Sequence, residues 1–396
     1  MNAPSVLTVQ VLAGMLNVAM NLTLTTSISI WKAAGWEPWT IGAAVTVATV
    51  TYAIFVSLGG KLADRWGRVP TILTGILTGL IGCLLAAVLP LPATGLAAGL
   101  LVFFAGAFGF PGFAGIISDS GGDRGRRPPP LHKKVSGYNV GWSIGTMAGF
   151  ALFGLLSFLP QRAGYGVAVV LLLVIASLLW SRRGYVRKPP VPSGDRAGHP
   201  ALTKLTFMGR FNLLLTCMLA LAMISQLEKS FGGGVSPVAA RGLTGFCLAC
   251  YSAGYVMVFL LMGRWEGWIF APWRLLLCQL SLPAGAAVFL LLAYAGAPPV
   301  SLALGTFLIG TGYGSAYTAS IYYSMRLPSG TASSVGLHET FIGVGNALGP
   351  LLAGLFLSLR GGASLTGLGT LLLAVALCGQ AFQAVMIPFI RGLSRK

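Results

Sequence analysis

The chain has 396 residues, 55% of them apolar and only 9% charged. Soluble domains run nearer 25% charged, so this composition excludes an ordinary water-soluble core and points to an all-α membrane protein. The formal charge of +18 is no sign of a nucleic-acid partner, because Lys and Arg cluster in short loops between apolar runs and no separate basic domain exists. Those cations are placed instead to meet anionic lipid headgroups.

A spanning helix needs ~20 apolar residues, since lipid offers the backbone no hydrogen-bond partner. By that criterion roughly twelve transmembrane helices follow, at 6–30, 38–60, 69–90, 95–118, 135–159, 163–181, 211–228, 238–262, 273–295, 298–325, 332–358 and 364–390. The first is expected to be retained, because Met1–Ser5 holds no basic residue and no small-residue cleavage site follows it. It carries Gln10, Gly14, Asn17, Asn21 and Thr25 at intervals of three or four, which puts them on one face.

Between the second and third spans lies Gly60-Lys61-Leu62-Ala63-Asp64-Arg65-Trp66-Gly67-Arg68. It reads as a tight turn whose glycines allow close backbone approach. It resembles the helix 2–3 loop of the major facilitator superfamily of transporters, whose pattern is Gly-x-Leu-Ala-Asp-(Arg/Lys)-x-Gly-Arg-(Arg/Lys). Gly60, Leu62, Ala63, Asp64, Arg65, Gly67 and Arg68 match, and Val69 stands where a base is usual. The resemblance implies a fold of two pseudo-symmetric six-helix bundles, with helices 1, 4, 7 and 10 lining a central path. It also implies that Asp64 engages the N-terminal end of helix 11 and holds the cytoplasmic side closed, which fits the affinity of anions for helix N-termini. Asp119, at the end of the fourth span, is expected to join Arg65 or Arg68 in that gate.

Alternating the loops sorts the cations. Lys32, Arg162, Lys229, Arg241 and Arg360 fall on one side, and the other 21 of 26 Lys and Arg fall on the other. The second side reads as cytoplasmic, with both termini on it. The stretch 182–210 is rich in Pro, Gly and charge and reads as a cytoplasmic linker. It divides a bundle over 1–181 from one over 211–396. The loop from Gly121 to Lys134 reads as a topology anchor. The halves look like repeats: at a shift of 200, Asn139, Gly145, Gly149 and Gly154 fall on Glu339, Gly345, Gly349 and Gly354. Such repeats are the usual build of secondary transporters, with the site between them near the midplane.

In the second half, Thr216 and Gln226 mark the seventh span, Tyr251 and Tyr255 the eighth, and Tyr313 and Tyr317 the tenth. With Asn17, Asn21 and Thr25 they are the candidate solute-binding residues, although interhelical hydrogen bonding accounts for such stripes equally well. Glu339 lies about eight residues into the eleventh span, roughly 12 Å along its axis. Ionisable groups at that depth face a cavity or a partner, so Glu339 is the candidate proton carrier, with a structural carboxylate as the alternative. A second, worn copy of the charged loop, Gly263 to Trp268, holds Glu266 between tryptophans that suit the membrane interface. The Gly-Pro motif of the family's antiporters lies in helix 5. Here Phe150 stands in the place of its proline, and Gly349-Pro350 occurs in the eleventh span instead.

The expected function is secondary active transport of a small organic solute by alternating access, proton-coupled and directed outward. The expected setting is a bacterial inner membrane and the expected state a monomer. Uptake of a sugar-like nutrient and a non-transporting receptor or scaffold are the alternatives. No enzyme signature, cofactor motif or metal site is read. Cys247 and Cys250 form a C-x-x-C only within an apolar run, where small soft side chains pack.

Overall fold

The computed structural model describes residues 6–119, 130–182, 202–327 and 331–391. The helices are α1 (Val6–Ala33), α2 (Pro38–Arg65), α3 (Arg68–Val88), α4 (Pro92–Asp119), α5 (Leu131–Leu155), α6 (Ala163–Trp180), α7 (Leu202–Ser230), α8 (Pro237–Arg264), α9 (Pro272–Gln279), α10 (Ser281–Tyr294), α11 (Leu302–Arg326), α12 (Thr331–Leu359) and α13 (Leu365–Arg391). No strand occurs among the described residues. Eleven stretches are long and apolar enough to cross a membrane, α9 and α10 together making one of them. α11 is as long as the others but carries many Tyr, Ser, Thr and Gly residues, and it is buried almost throughout.

Local chemistry explains several helix ends and bends. Pro38 and Pro237 open α2 and α8 at a position whose N–H has no intrahelical partner. Ser236 caps α8 by accepting from the Ala239 amide at 3.2 Å. The break between α9 and α10 falls at Leu280 because Pro283 has no N–H to offer the Gln279 carbonyl one turn back. The Gln380 side-chain amide of α13 donates to that carbonyl instead, at 2.7 Å. Pro350 inside α12 likewise frees the Asn346 carbonyl, to which Thr49 Oγ1 of α2 donates at 3.2 Å. In lipid these replacements are obligatory, since water cannot satisfy the freed oxygen.

Two bundles result, α1–α6 and α7–α13, and their internal packing is the same. α1 packs on α4, α5 and α6, as α7 packs on α11, α12 and α13. α4 lies against α2 and α3, as α11 lies against α8 and α10, and α3 meets α6 as α10 meets α13. The bundles join chiefly through α2 against α12 and α5 against α8. Both joints depend on glycine. A Cβ on Gly354 would stand 2.5 Å from the Pro38 carbonyl oxygen, and one on Gly245 would stand 2.5 Å from the Gly154 Cα. Exposed apolar side chains such as Ile54, Ile81, Val170 and Leu291 cover the outside.

Two boundaries differ from the sequence reading. α2 runs through Gly60 to Arg65, so the turn is only Trp66 and Gly67, and the positive φ of 101° belongs to Gly67. Gly60 sits inside the helix, facing the Pro111 ring. α7 starts at Leu202, inside the stretch read as linker, because Leu202, Leu205, Met208 and Gly209 form an apolar face that buries. Residues 183–201 of that stretch lie outside the described residues.

Candidate functional site

A cavity of about 150 Å³ lies between the bundles and is lined by both. α1 contributes Asn17, Met20, Asn21 and Leu24, and α4 contributes Phe103 and Phe110. α5 presents Tyr138, Trp142, Thr146 and Phe150, and α2 presents Tyr52. From the second bundle come Tyr251 and Tyr255 on α8, Tyr313 and Tyr317 on α11, and Glu339, Ile342 and Asn346 on α12, with the apolar Ala220, Leu221 and Ile224 on α7.

Six of the nine candidate solute-binding residues therefore meet at one place: Asn17, Asn21, Tyr251, Tyr255, Tyr313 and Tyr317. The other three do not. Thr25 donates to the Asn21 carbonyl at 2.6 Å, and Thr216 donates to the Leu213 carbonyl at 2.9 Å. A hydroxyl inside a helix can satisfy itself on the preceding turn, and both side chains do so away from the cavity. Gln226 lies nearer the end of α7 and donates across the bundles to the Pro38 carbonyl at 3.1 Å.

Glu339 occupies the cavity wall with 9% of its surface open. Its Oε2 accepts a 2.7 Å hydrogen bond from the Tyr52 hydroxyl of the other bundle. The adjacent His338 points elsewhere: its Nδ1 is 2.9 Å from Ser320 Oγ, and its ring meets Tyr317 edge-on. Tyr52, Tyr138, Trp142 and Asn346 escaped the sequence reading. The spacing Tyr138-Trp142-Thr146-Phe150 held a signal for α5, and Thr46-Thr49-Tyr52 held one for α2.

At the end carrying the α2–α3 turn, Asp64 and Arg68 pair at 2.8 Å. The buried Arg68 guanidinium lies against Gly115 of α4, where a side chain would collide with it. Arg65 and Asp64 are exposed there. The side chain of Asp119, and those of residues 331–335 at the start of α12, lie outside the described residues, and so does the expected contact of Asp64 with that helix end. Nearby, Glu266 pairs with the buried His132 at 3.3 Å, tying the segment after α8 to α5. Trp268 is no interfacial anchor: it is fully buried against Tyr322 and Tyr323.

The opposite end lies the length of α2 away, ~42 Å at 1.5 Å per residue, and it is closed across the bundles. Lys32 of α1 meets Glu228 of α7 at 3.5 Å and also donates to the Glu228 carbonyl at 3.0 Å. Ser29 Oγ donates to Glu228 Oε1 at 3.3 Å. Lys229 donates to the Trp36 carbonyl, and the Trp39 amide donates to Ser358 Oγ at 3.2 Å. Trp31 and Trp36 stack beside this cluster, 5.4 Å apart.

The chain resembles solved transporter structures over nearly its whole length. A bacterial homolog of the human lysosomal transporter Spinster, in an inward-facing, unoccupied conformation, matches with a TM-score of 0.64 at 18% identity, covering 98% of this chain and 96% of that one. The nucleoside transporter NupG matches with a TM-score of 0.61 at 16% identity, each chain covered completely. A mutant form of NupG matches at 0.64 and 12% identity, covering 97% of this chain and 100% of that one. The sequence model of the Major Facilitator Superfamily matches residues 6–350. Two pseudo-symmetric bundles, a central cavity built by both and that match have one conclusion: this multi-pass membrane protein is a transporter belonging to the Major Facilitator Superfamily.

Proposed function

We propose that the chain is a secondary active transporter that exports a small organic solute through the central cavity, coupled to protons by Glu339. The observation that carries this reading is the cavity itself. Both bundles build it, and Glu339 is the one acid among its described lining residues, which include no Lys, Arg or His. A buried carboxylate with a hydrogen bond from Tyr52 but no cation in the cavity wall is costly when charged, so a group that alternates between proton and solute belongs there. The bundles, α1–α6 and α7–α13, the second starting at Leu202 rather than at 211, rock about this site. The Lys32–Glu228 cluster closes one end, and Asp64 with Gly60, Arg65, Gly67, Arg68 and Asp119 forms the gate at the other. The sorting of 21 of 26 cations supports a cytoplasmic position for that second end and for both termini, in what we take to be a bacterial inner membrane.

The test uses purified protein in liposomes and a solute found by thermal-shift screening. Everted protein should accumulate that solute into an acidic lumen as protons leave. At saturating solute, Glu339→Gln should keep solute–solute exchange and lose gradient-driven accumulation. Accumulation by Glu339→Gln at the parent rate removes the proton role. Accumulation only in the reverse direction replaces export with uptake.

A further inference from the structure

We infer that the solute is a small organic cation, a substituted ammonium carrying an apolar group, held in an aromatic cage over Glu339. This inference rests on the transport reading above and names the chemistry of the same cavity.

One wall of the cavity is a continuous belt of rings. Trp142 lies 5.1 Å from Tyr317 and 6.0 Å from Tyr255, centroid to centroid. Tyr313 lies 5.4 Å from Tyr255, 5.7 Å from Tyr251 and 6.0 Å from Tyr317. The planes are tilted by 32–62° in these pairs rather than laid flat on one another. Rings tilted against one another along a cavity wall are able to offer faces as well as edges to what is enclosed. Ring faces carry negative quadrupole potential and attract cations, more strongly where water is excluded.

The polar groups add acceptors and the single fixed charge among the described lining residues, a negative one. Asn17 and Asn21 donate their side-chain amides to the Ala13 and Asn17 carbonyls of their own helix, at 3.3 and 2.9 Å. Each keeps its carbonyl oxygen as an acceptor, beside one remaining N–H. Glu339 adds a carboxylate, already oriented by Tyr52. Ring faces, amide oxygens and a carboxylate all complement a positive charge. An organic anion meets like charge at Glu339 and no fixed cation. A sugar finds some partners in the tyrosine hydroxyls and amides, but it also faces Phe103, Phe110, Phe150, Leu221 and Ile224, where hydroxyls left unpaired weaken binding. The volume of about 150 Å³ limits the solute to a small one.

The test is equilibrium binding of labelled benzyltrimethylammonium, a permanent cation, to the purified protein. Its uncharged carbon isostere and benzenesulfonate are the comparisons. The cation should bind at least about tenfold more tightly than the isostere, the size of effect expected from desolvated cation–π and carboxylate contacts. Glu339→Gln should remove most of that difference while leaving the isostere unchanged, which also reports that the variant is folded. Glu339→Asp should recover part of it. Tyr317→Leu should weaken the cation, and Tyr317→Phe should not. Equal binding of cation and isostere, or preference for the sulfonate, overturns the inference. Retention of the cation preference in Glu339→Gln overturns the role of the carboxylate. If a neutral or anionic solute is carried through the cavity while the cation is not bound, the ligand class fails and the transport reading stands.

Discussion

Lys32→Met tests whether the closed end depends on the buried ion pair. Glu228 is 3% exposed, and Lys32 at 3.5 Å is its cation. Removing one partner of a buried pair costs roughly 3–5 kcal/mol, because the remaining charge is stranded without water. Here the Lys32 side chain is 22% exposed, and Ser29 Oγ still donates to the carboxylate, so about 2 kcal/mol is the better figure for this pair. The penalty falls on the conformation that closes this end, since opening it hydrates Glu228. At 1.4 kcal/mol per factor of ten, the open population rises about thirtyfold. A cysteine at Ser225, buried one turn before Glu228, reports the opening through its rate of labelling by a membrane-impermeant maleimide in an otherwise cysteine-free protein. Lys32→Met should raise that rate about thirtyfold. Lys32→Met with Glu228→Leu should return it to near the parent, because replacing a buried pair by apolar groups is neutral or stabilising. Unchanged labelling in Lys32→Met, or equally fast labelling in the double variant, refutes the reasoning.

Three further outcomes are expected. Gly42→Val places a side chain against the Pro350 carbonyl, backbone that cannot yield, and should destabilise the joint of α2 and α12 by about 1–3 kcal/mol; disulfide formation between cysteines at Thr46 and Ala347, whose side chain and carbonyl are 2.7 Å apart, should fall. Asp64→Asn should lower flux about tenfold or more with unchanged membrane insertion, as read by fluorescence-detected gel filtration, since the gate loses its anion. Gln380→Leu should lower the Tm by leaving the Gln279 carbonyl unpaired, a loss of about 1–3 kcal/mol. Adding Pro283→Ala should restore the Tm by returning the missing N–H to that carbonyl.

The helical stripes of the sequence located much of the cavity because polar side chains three or four apart in an apolar span must share a face. Asn17 with Asn21, Tyr251 with Tyr255, and Tyr313 with Tyr317 obey that rule, and all six line the site. Thr25 and Thr216 obey it too and yet lie elsewhere, because a threonine can spend its hydroxyl on its own helix. Tyr52 was missed although it closes a stripe of its own: Thr46, Thr49 and Tyr52 stand three apart on α2, and all three donate to α12, but only the crossing of α2 over α12 shows that the last of them meets Glu339. The turn after α2 misled for a different reason. Glycine and charge mark a loop in most chains, but here Gly59 marks the close crossing of α2 and α4, where a Cβ would collide with the Ala107 carbonyl oxygen, and Gly60 and the charged residues after it continue the helix. The ion pair of Lys32 and Glu228 joins the ends of two different spans; in the sequence Glu228 stands out only as crowding the end of the seventh span with Lys229, with no hint of a partner across the bundles.

α11 has a consequence for how the protein is made. Its tyrosines, serines and glycines leave it outside the set of helices apolar enough to enter lipid on length and hydropathy alone. During synthesis such a segment gains little from the bilayer by itself and must be received by helices that precede it. α7, α8 and α10 supply that reception surface, and all three leave the ribosome earlier. The tyrosine wall on α11 thus depends on its neighbours for its place in the bilayer, and variants that loosen α8 or α10 should show themselves first as poor assembly rather than as slow transport.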